Sequence, residues 1–161
     1  KHAAHERMNF DRMKAEGYDP MSQTLLAPAV CRLSPEEHAA LTARLPLLEE
    51  FGFAVEDFGG GALIVRRAPF DVDPGDIEAT LTEIARKLLS TGSADPAAAR
   101  DELLHTMACK AAIKGGWRTS PQELERVARA VMSGQVKYCP HGRPVAITMT
   151  RSQLERQFKR S

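Results

Sequence analysis

The sequence has 161 residues, of which 43% are hydrophobic and 27% are charged, as is usual for a globular domain. No apolar run reaches the roughly 18–20 residues of a membrane-spanning helix, so we expect no membrane partner and no secretory signal. Three cysteines without regular spacing argue against a disulfide scaffold, and we therefore expect a reducing, cytoplasmic location. Because the sequence starts inside an element and without Met, we interpret it as a piece of a longer protein.

The net charge of +1 conceals an uneven distribution along the chain. Residues 1–14 sum to +2, residues 15–109 to −9 and residues 110–161 to +8. This division suggests that one part of the chain faces a polyanion, although solvated helix faces that happen to differ would give the same counts.

Helices are predicted mainly from their capping residues. "HAAHERMNFDRMKAEG" is expected to form a first helix that ends at Gly17, and "SPEE" at residues 34–37 starts a second one that reaches Gly52. Pro46 is expected to kink or tighten this second helix. Similar signals precede four further predicted helices, "GDIEATLTEIARKLLS", "AAARDELLHTMACKAAIKGG", "QELERVARAVMSG" and "RSQLERQFKR".

Strands are predicted where apolar and polar residues alternate, in "TLLAPAVCRL", "FAVEDF", "ALIVRR" and "PVAITM". Gly59, Gly60 and Gly61 are expected to join the second and third strands as a hairpin. Helices and strands do not alternate regularly, so the sequence predicts an α+β fold rather than a doubly wound sheet.

The first predicted helix carries candidate metal ligands. His2 and Glu6 are four residues apart and share a helix face, and His5 lies within one turn of the same stripe. Such pairs are common on solvated helices, and the metalloprotease and deaminase zinc motifs do not fit this chain. Asp11 is expected about 180° round the helix from His2.

A Cys-x-His pair lies in the Pro- and Gly-rich segment "YCPHGRP". In an extended loop Cys139 and His141 point to the same side, and a thiolate with an imidazole is a preferred zinc pair. Cys109 falls in a helical pattern where a cysteine usually belongs to the core, and Cys31 is expected to be a core residue of a strand. Each feature alone is more often structural, but their joint presence indicates a metal site.

Four motifs together resemble the C-terminal domain of the MutL family of DNA mismatch repair proteins, in its endonuclease-bearing branch. They are "HAAHER" with an acidic residue at Asp11, then "ACKAAIK", "CPHGRP" and the terminal "FKR". In that family the first motif begins with an Asp that would stand directly ahead of Lys1, and the usual residue at the Asp11 position is Glu. We expect DNA cleavage by this chain to be impaired without that leading Asp.

The resemblance implies metal-dependent nicking of one DNA strand, with Mn²⁺ as the catalytic ion and Zn²⁺ in a structural or regulatory role. His2, Glu6 and Asp11 take the catalytic positions under this resemblance. The implied metal ligands are His2, Glu6, Cys109, Cys139 and His141. Phe158 and Arg160 fall on the terminal motif that closes the site in the family.

Basic residues near the implied cage are candidates for binding the DNA backbone without reading its sequence. They are Lys110, Lys114, Arg143 and Arg160. The alternative for all four is plain surface charge, and for Arg143 it is bracing of a turn.

"QTLLAP" matches the processivity-clamp motif of the family, with Gln23, Leu26 and Pro28 at its positions. An extended peptide with a polar anchor and a buried Leu can dock in a hydrophobic groove of a partner. The alternative is that Leu25 or Leu26 packs in the sheet and Gln23 ends a loop. Short motifs of this kind also occur by chance.

The resemblance further implies two sub-domains and several partners. Residues 1–27 with 107–161 would form a dimerisation and metal-site sub-domain, into which residues 28–106 are inserted as a regulatory one. A homodimer is expected, and the full-length protein would meet double-stranded DNA and a mismatch-recognition protein near the bacterial nucleoid.

Two other functions remain open. One is a non-catalytic module that dimerises and recruits the clamp, with zinc as a structural staple. The other is a basic DNA-binding domain with a zinc knuckle, which fits poorly because knuckle ligands lie close together in sequence. The "HAAHE" stripe favours the endonuclease, since a pure dimerisation domain has no need of it.

Overall fold

The computed structural model describes residues 2–91, 95–112 and 118–158. Their helices are α1 (His2–Glu16), α2 (Pro35–Thr42), α3 (Leu45–Glu50), α4 (Ile77–Ser90), α5 (Pro96–Lys110), α6 (Pro121–Met132) and α7 (Arg151–Gln157). Their strands are β1 (Ser22–Arg32), β2 (Ala54–Gly59) and β3 (Ala62–Pro69), and a short 3₁₀ turn at Pro74–Asp76 precedes α4. The predicted α+β class is confirmed.

Local sequence signals explain where these helices begin. Ser34 caps α2 in a capping box, in which its side chain accepts from the Glu37 N–H and the Glu37 carboxylate accepts from the Ser34 N–H. The helix predicted up to Gly52 is interrupted after Thr42, and Pro46 lies in the first turn of α3. Instead of the expected kink or tightening at Pro46, the structure has two helices, because Pro is tolerated in a first turn and not in a helix interior.

The sheet has the strand order β1-β3-β2, and both pairings are antiparallel. The tight turn at Gly59–Gly61 joins β2 to β3, and all three glycines have positive φ, as the predicted hairpin requires. β1 pairs with β3 up to Thr24 and again from Ala29, so the residues between them bulge out of the ladder.

One face of this sheet packs against helices to form the larger core. The α4 stripe of Ile77, Leu81, Ile84 and Leu88 is buried there. Large side chains of β3 and of the residues just before β2 are buried in the same core, namely Leu63, Val65, Phe51 and Phe53. Cys31 has no exposed surface, which confirms it as a core residue.

The chain divides into two compact units. We call residues 1–8 with 113–161 the terminal unit and residues 9–112 the central unit. Their formal charges are +8 and −7 respectively. The terminal unit has its own small core, in which Ala4 of α1 packs with Val127 and Ala130 of α6. The predicted dimerisation and regulatory sub-domains stay a prediction, and β1 pairs with β3 on both sides of their boundary at residue 27.

The strand predicted at "PVAITM" is wrong. Pro144 forms an isolated bridge with Tyr138, and residues 145–150 are in no strand. Alternating apolar residues favour a strand only when another backbone lies alongside. Among the described residues, the neighbouring backbone at Lys137 and Tyr138 reaches only Pro144 and Val145 of this segment. Among the described helices, none is long and apolar enough to cross a membrane.

Candidate metal centre

The first turns of α1 bring three polar side chains to a partly buried position. Ala4 and Met8 pack with the apolar residues of α6, which turns this side of α1 away from solvent. His5 and Glu6 are therefore only 8% and 4% exposed. A buried carboxylate needs a charged or hydrogen-bonding partner, and Glu6 is therefore the centre of the candidate site.

Two imidazoles flank the Glu6 carboxylate. His2 Nε2 lies 4.0 Å from Oε2, one helical turn away, and His141 Nδ1 lies 3.3 Å from Oε1. Both imidazoles are about half exposed, so the carboxylate is the deepest of the three groups. The structure thus brings together His2, Glu6 and His141, which come from opposite ends of the sequence.

His141 is carried by a tight turn that we call the clip, residues 138–144. The Cys139 N–H donates to the Arg143 carbonyl over 2.8 Å, and the Gly142 N–H donates to the Cys139 carbonyl over 2.9 Å. Gly142 has a φ of +78°, which favours glycine at this position. The Arg143 N–H also points at the Cys139 sulfur, with N and Sγ 3.4 Å apart.

The residues fit a divalent cation. Glu6 Oε1 is buried and makes no hydrogen bond, although a direct imidazole–carboxylate pair would normally supply one. Two ligand atoms about 2.1 Å from one tetrahedral zinc ion lie about 3.4 Å apart, close to the separation of His141 Nδ1 and Glu6 Oε1. A carboxylate and two imidazoles form a mixed oxygen and nitrogen donor set that suits zinc and similar ions.

Comparisons with known proteins identify the family of the chain. The family model of the MutL C-terminal dimerisation domain matches residues 1–119. This chain belongs to the MutL C-terminal domain family.

Relatives extend the similarity over the clip and α7. The DNA mismatch repair protein MutL of Syntrophobacter fumaroxidans is 35% identical over 100% of this chain and 24% of its own length. The proteins of the same name from Caldanaerobacter subterraneus subsp. tengcongensis and Acidiphilium cryptum are 31% and 37% identical, over 99% and 100% of this chain and 27% and 28% of their own lengths. The chain spans about a quarter of the length of these MutL relatives.

Other predicted metal-site residues of this MutL-family domain lie in the central unit. Cys109 and Lys110 form the end of α5 and are half-buried, and Asp11 is exposed on α1. Their predicted roles as ligand, DNA contact and catalytic residue stay predictions.

The terminal motif is only partly described. Phe158 follows α7 and is 71% exposed, so its predicted site-closing role stays a prediction. Lys114 and Arg160, predicted to bind DNA, lie outside the described residues. Arg143 is exposed, and its backbone braces the clip as described above.

The clamp segment of this MutL-family domain coincides with the bulge of β1. Leu26 is fully exposed at the bulge, and Pro28 is exposed beside it. Gln23 lies in the paired part of the strand, where its Nε2 donates to the Val72 carbonyl over 3.3 Å. The alternative that Leu25 or Leu26 packs in the sheet holds for Leu25, which is partly buried against the larger core. It is wrong for Leu26, whose side chain is exposed.

Sequence reasoning missed Glu123 of α6. Its Oε1 lies 3.7 Å from His5 Nε2, directly beside the Glu6 site. The available signal was the cap "SPQE", which fixes Glu123 in the first turn of α6, but nothing in the sequence links that turn to His5.

Proposed function

We propose that this chain is the metal-dependent DNA-nicking endonuclease domain of a DNA mismatch repair protein. The observation that supports this most directly is the buried Glu6 carboxylate, which lies between two imidazoles and whose Oε1 lacks a hydrogen bond. Membership of a dimerisation-domain family supports self-association, and we propose a homodimer.

The proposed ligands divide by chemical softness. Glu6 and His2 suit Mn²⁺ in the catalytic role, whereas Cys139, His141 and Cys109 suit Zn²⁺ in a structural or regulatory role. A bound cation would stabilise charge on the phosphate oxygens and make a water molecule more nucleophilic. The chain itself holds the Glu6 carboxylate away from bulk water, at 4% exposure, and so keeps its interaction with a cation effective.

The substrate would be the backbone of double-stranded DNA. The terminal unit carries a formal charge of +8, and Arg143 places an exposed guanidinium in the same clip as His141. Such contacts position a duplex without reading its sequence. Contact with a mismatch-recognition protein, through the full-length chain, and a place at the bacterial nucleoid belong to the same proposal.

Nicking of supercoiled plasmid with Mn²⁺ tests the proposal. The chain should be used with an Asp placed directly ahead of Lys1, and compared with the same chain carrying Glu6→Gln. We expect the substitution to lower the nicking rate by more than the roughly 10–100-fold typical of an outer-shell metal partner. Glu16→Gln, an exposed position on the same helix, should leave the rate unchanged.

Equal nicking rates of the Glu6→Gln variant and its parent would rule out the proposed endonuclease function. The non-catalytic module that dimerises and recruits the clamp would then be the function of the chain, with Zn²⁺ as a structural staple of the clip.

We also propose that the β1 bulge docks on the replication processivity clamp. Leu26 is fully exposed at a bulge, and β1 pairs with β3 on both sides of it. A partner could therefore bind this side chain without breaking the pairing of the sheet. Burying such a side chain is worth about 1.5–3 kcal/mol, which corresponds to roughly 10–100-fold in affinity.

Titration of the purified clamp tests this contact. Leu26→Ala should weaken binding at least about 10-fold with an unchanged melting temperature. Met21→Ala removes a similarly exposed side chain outside the motif and serves as the control. Gln23→Ala is less informative alone, because it also removes the hydrogen bond to Val72. Equal binding by Leu26→Ala and Met21→Ala would rule out clamp docking at the bulge.

A further inference from the structure

Glu123 occupies a fixed position at the start of α6. The Ser120 hydroxyl caps this helix and accepts from the Glu123 N–H over 3.2 Å. This bond holds the first turn of α6, and with it the direction in which Glu123 leaves the helix. Its carboxylate is partly exposed and lies 3.7 Å from the His5 imidazole, which is almost buried.

His5 precedes Glu6 on α1, so the two side chains are about 100° apart round the helix axis. The apolar contact of Ala4 with Val127 and Ala130 holds α1 against α6. Apolar contacts are non-directional and fix distance better than rotation. The His5–Glu123 contact is polar and lies to one side of them, so it favours one rotation of the first turns of α1.

Rotation of α1 matters for the metal site. A side-chain tip lies about 5–6 Å from the helix axis, so a turn of roughly 20° moves it by about 2 Å. Metal ligands must be held within about 0.5 Å of their working positions. A small rotation of α1 would therefore take the Glu6 carboxylate out of reach of an ion shared with His141.

We infer that Glu123, acting through His5, is a positioning residue for Glu6. It holds the first turns of α1 at the rotation that directs the Glu6 carboxylate towards His141. This inference rests on the proposed function in one respect, namely that Glu6 holds a cation.

Binding of Co²⁺, followed by its visible absorption, tests the inference without DNA or turnover. Glu123→Ala should raise the dissociation constant about 10-fold while the absorption bands keep their positions. Glu123→Gln retains a polar group of the same shape and should bind within about threefold of the parent. Glu125→Ala is the matched control, because it removes an exposed carboxylate of the same helix that pairs with Arg129.

The outcomes separate this inference from the proposed function. Loss of Co²⁺ binding in Glu6→Ala together with equal affinities for Glu123→Ala and Glu125→Ala would overturn the positioning role alone. Unchanged Co²⁺ binding in Glu6→Ala would overturn the metal site itself. A lower melting temperature of Glu123→Ala with parental Co²⁺ affinity would show a merely structural role, and would also overturn the inference.

Discussion

Cys31 shows how strongly the central unit isolates a single side chain. It has no exposed surface in β1. Burial, and to a lesser extent the nearby Glu78 carboxylate, raises the pKa of its thiol to about 11. Because the thiolate is the reactive form, Cys31 is both inaccessible and protonated at neutral pH.

We predict that iodoacetamide at pH 8 leaves Cys31 unmodified in the folded chain and modifies it once the chain is unfolded. Peptide mass spectrometry after labelling measures this directly. Rapid labelling of Cys31 under native conditions would contradict its burial.

The same shift makes stability depend on alkaline pH. The unfolded chain ionises this thiol above about pH 8.5, whereas the folded chain keeps it protonated until about pH 11. Its contribution to the free energy of unfolding is therefore complete below pH 8.5 and is lost as the pH rises towards 11. Cys31→Val should make the melting temperature fall less steeply with pH between about 8.5 and 11.

The clip is the element on which the candidate site depends most. Gly142 has a φ of +78°, and a Cβ added to it would meet no atom within 4 Å. An alanine there is therefore opposed by backbone strain alone, which costs about 1–2 kcal/mol.

We predict that Gly142→Ala lowers the melting temperature by a few degrees and weakens Co²⁺ binding, since relief of the strain shifts His141. Gly59→Ala is the matched control, because Gly59 has a φ of +81° and equally open surroundings in the β2–β3 turn. It should cost similar stability and leave Co²⁺ affinity unchanged. Equal effects of both variants on Co²⁺ would show that the clip does not place a ligand.

Helices of this chain could be predicted from sequence because their signals are local. Ser34 and Ser120 cap the helices that they precede, and Pro46 lies in the first turn of α3, directly after the break that ends α2. The segment "PVAITM" could not be assigned in this way, because a strand depends on a partner strand that its own sequence does not specify. The bulge at Leu26 was missed for the same reason, since it appears only in the register against β3.

At the scale of the whole molecule, charge is divided between the units. The terminal unit carries +8 and the central unit −7, although the whole chain is nearly neutral. Binding of a polyanion should therefore depend on cations of the terminal unit, while those of the central unit are offset by their acidic neighbours.

We predict that metal-free binding of double-stranded DNA weakens with salt, and that Arg126→Ala reduces the slope of log K against log [salt] by about 1. Arg32→Ala removes an equally exposed cation from the central unit and should leave the slope unchanged. Fluorescence anisotropy in EDTA at several salt concentrations provides the measurement. Equal slopes for both variants and the parent would exclude Arg126 from the DNA contact.

The candidate site could be predicted from sequence only in part. The pairing of His2 with Glu6 follows from helical spacing alone. The approach of His141 to Glu6 joins two ends of the chain, so only the family resemblance could suggest it. Glu123 was not predicted at all, because its partner His5 is set by how α1 packs on α6.

The stretch from Ala146 to Met149 has a practical consequence for handling the chain. Ile147 is 81% exposed and Met149 40% exposed, and no described backbone group bonds to this stretch. Backbone amides and carbonyls without a protein partner, beside exposed apolar side chains, are a template for cross-β stacking between molecules. Concentrated stocks of the isolated chain should therefore form thioflavin-positive aggregates, and a lysine in place of Ile147 should delay them.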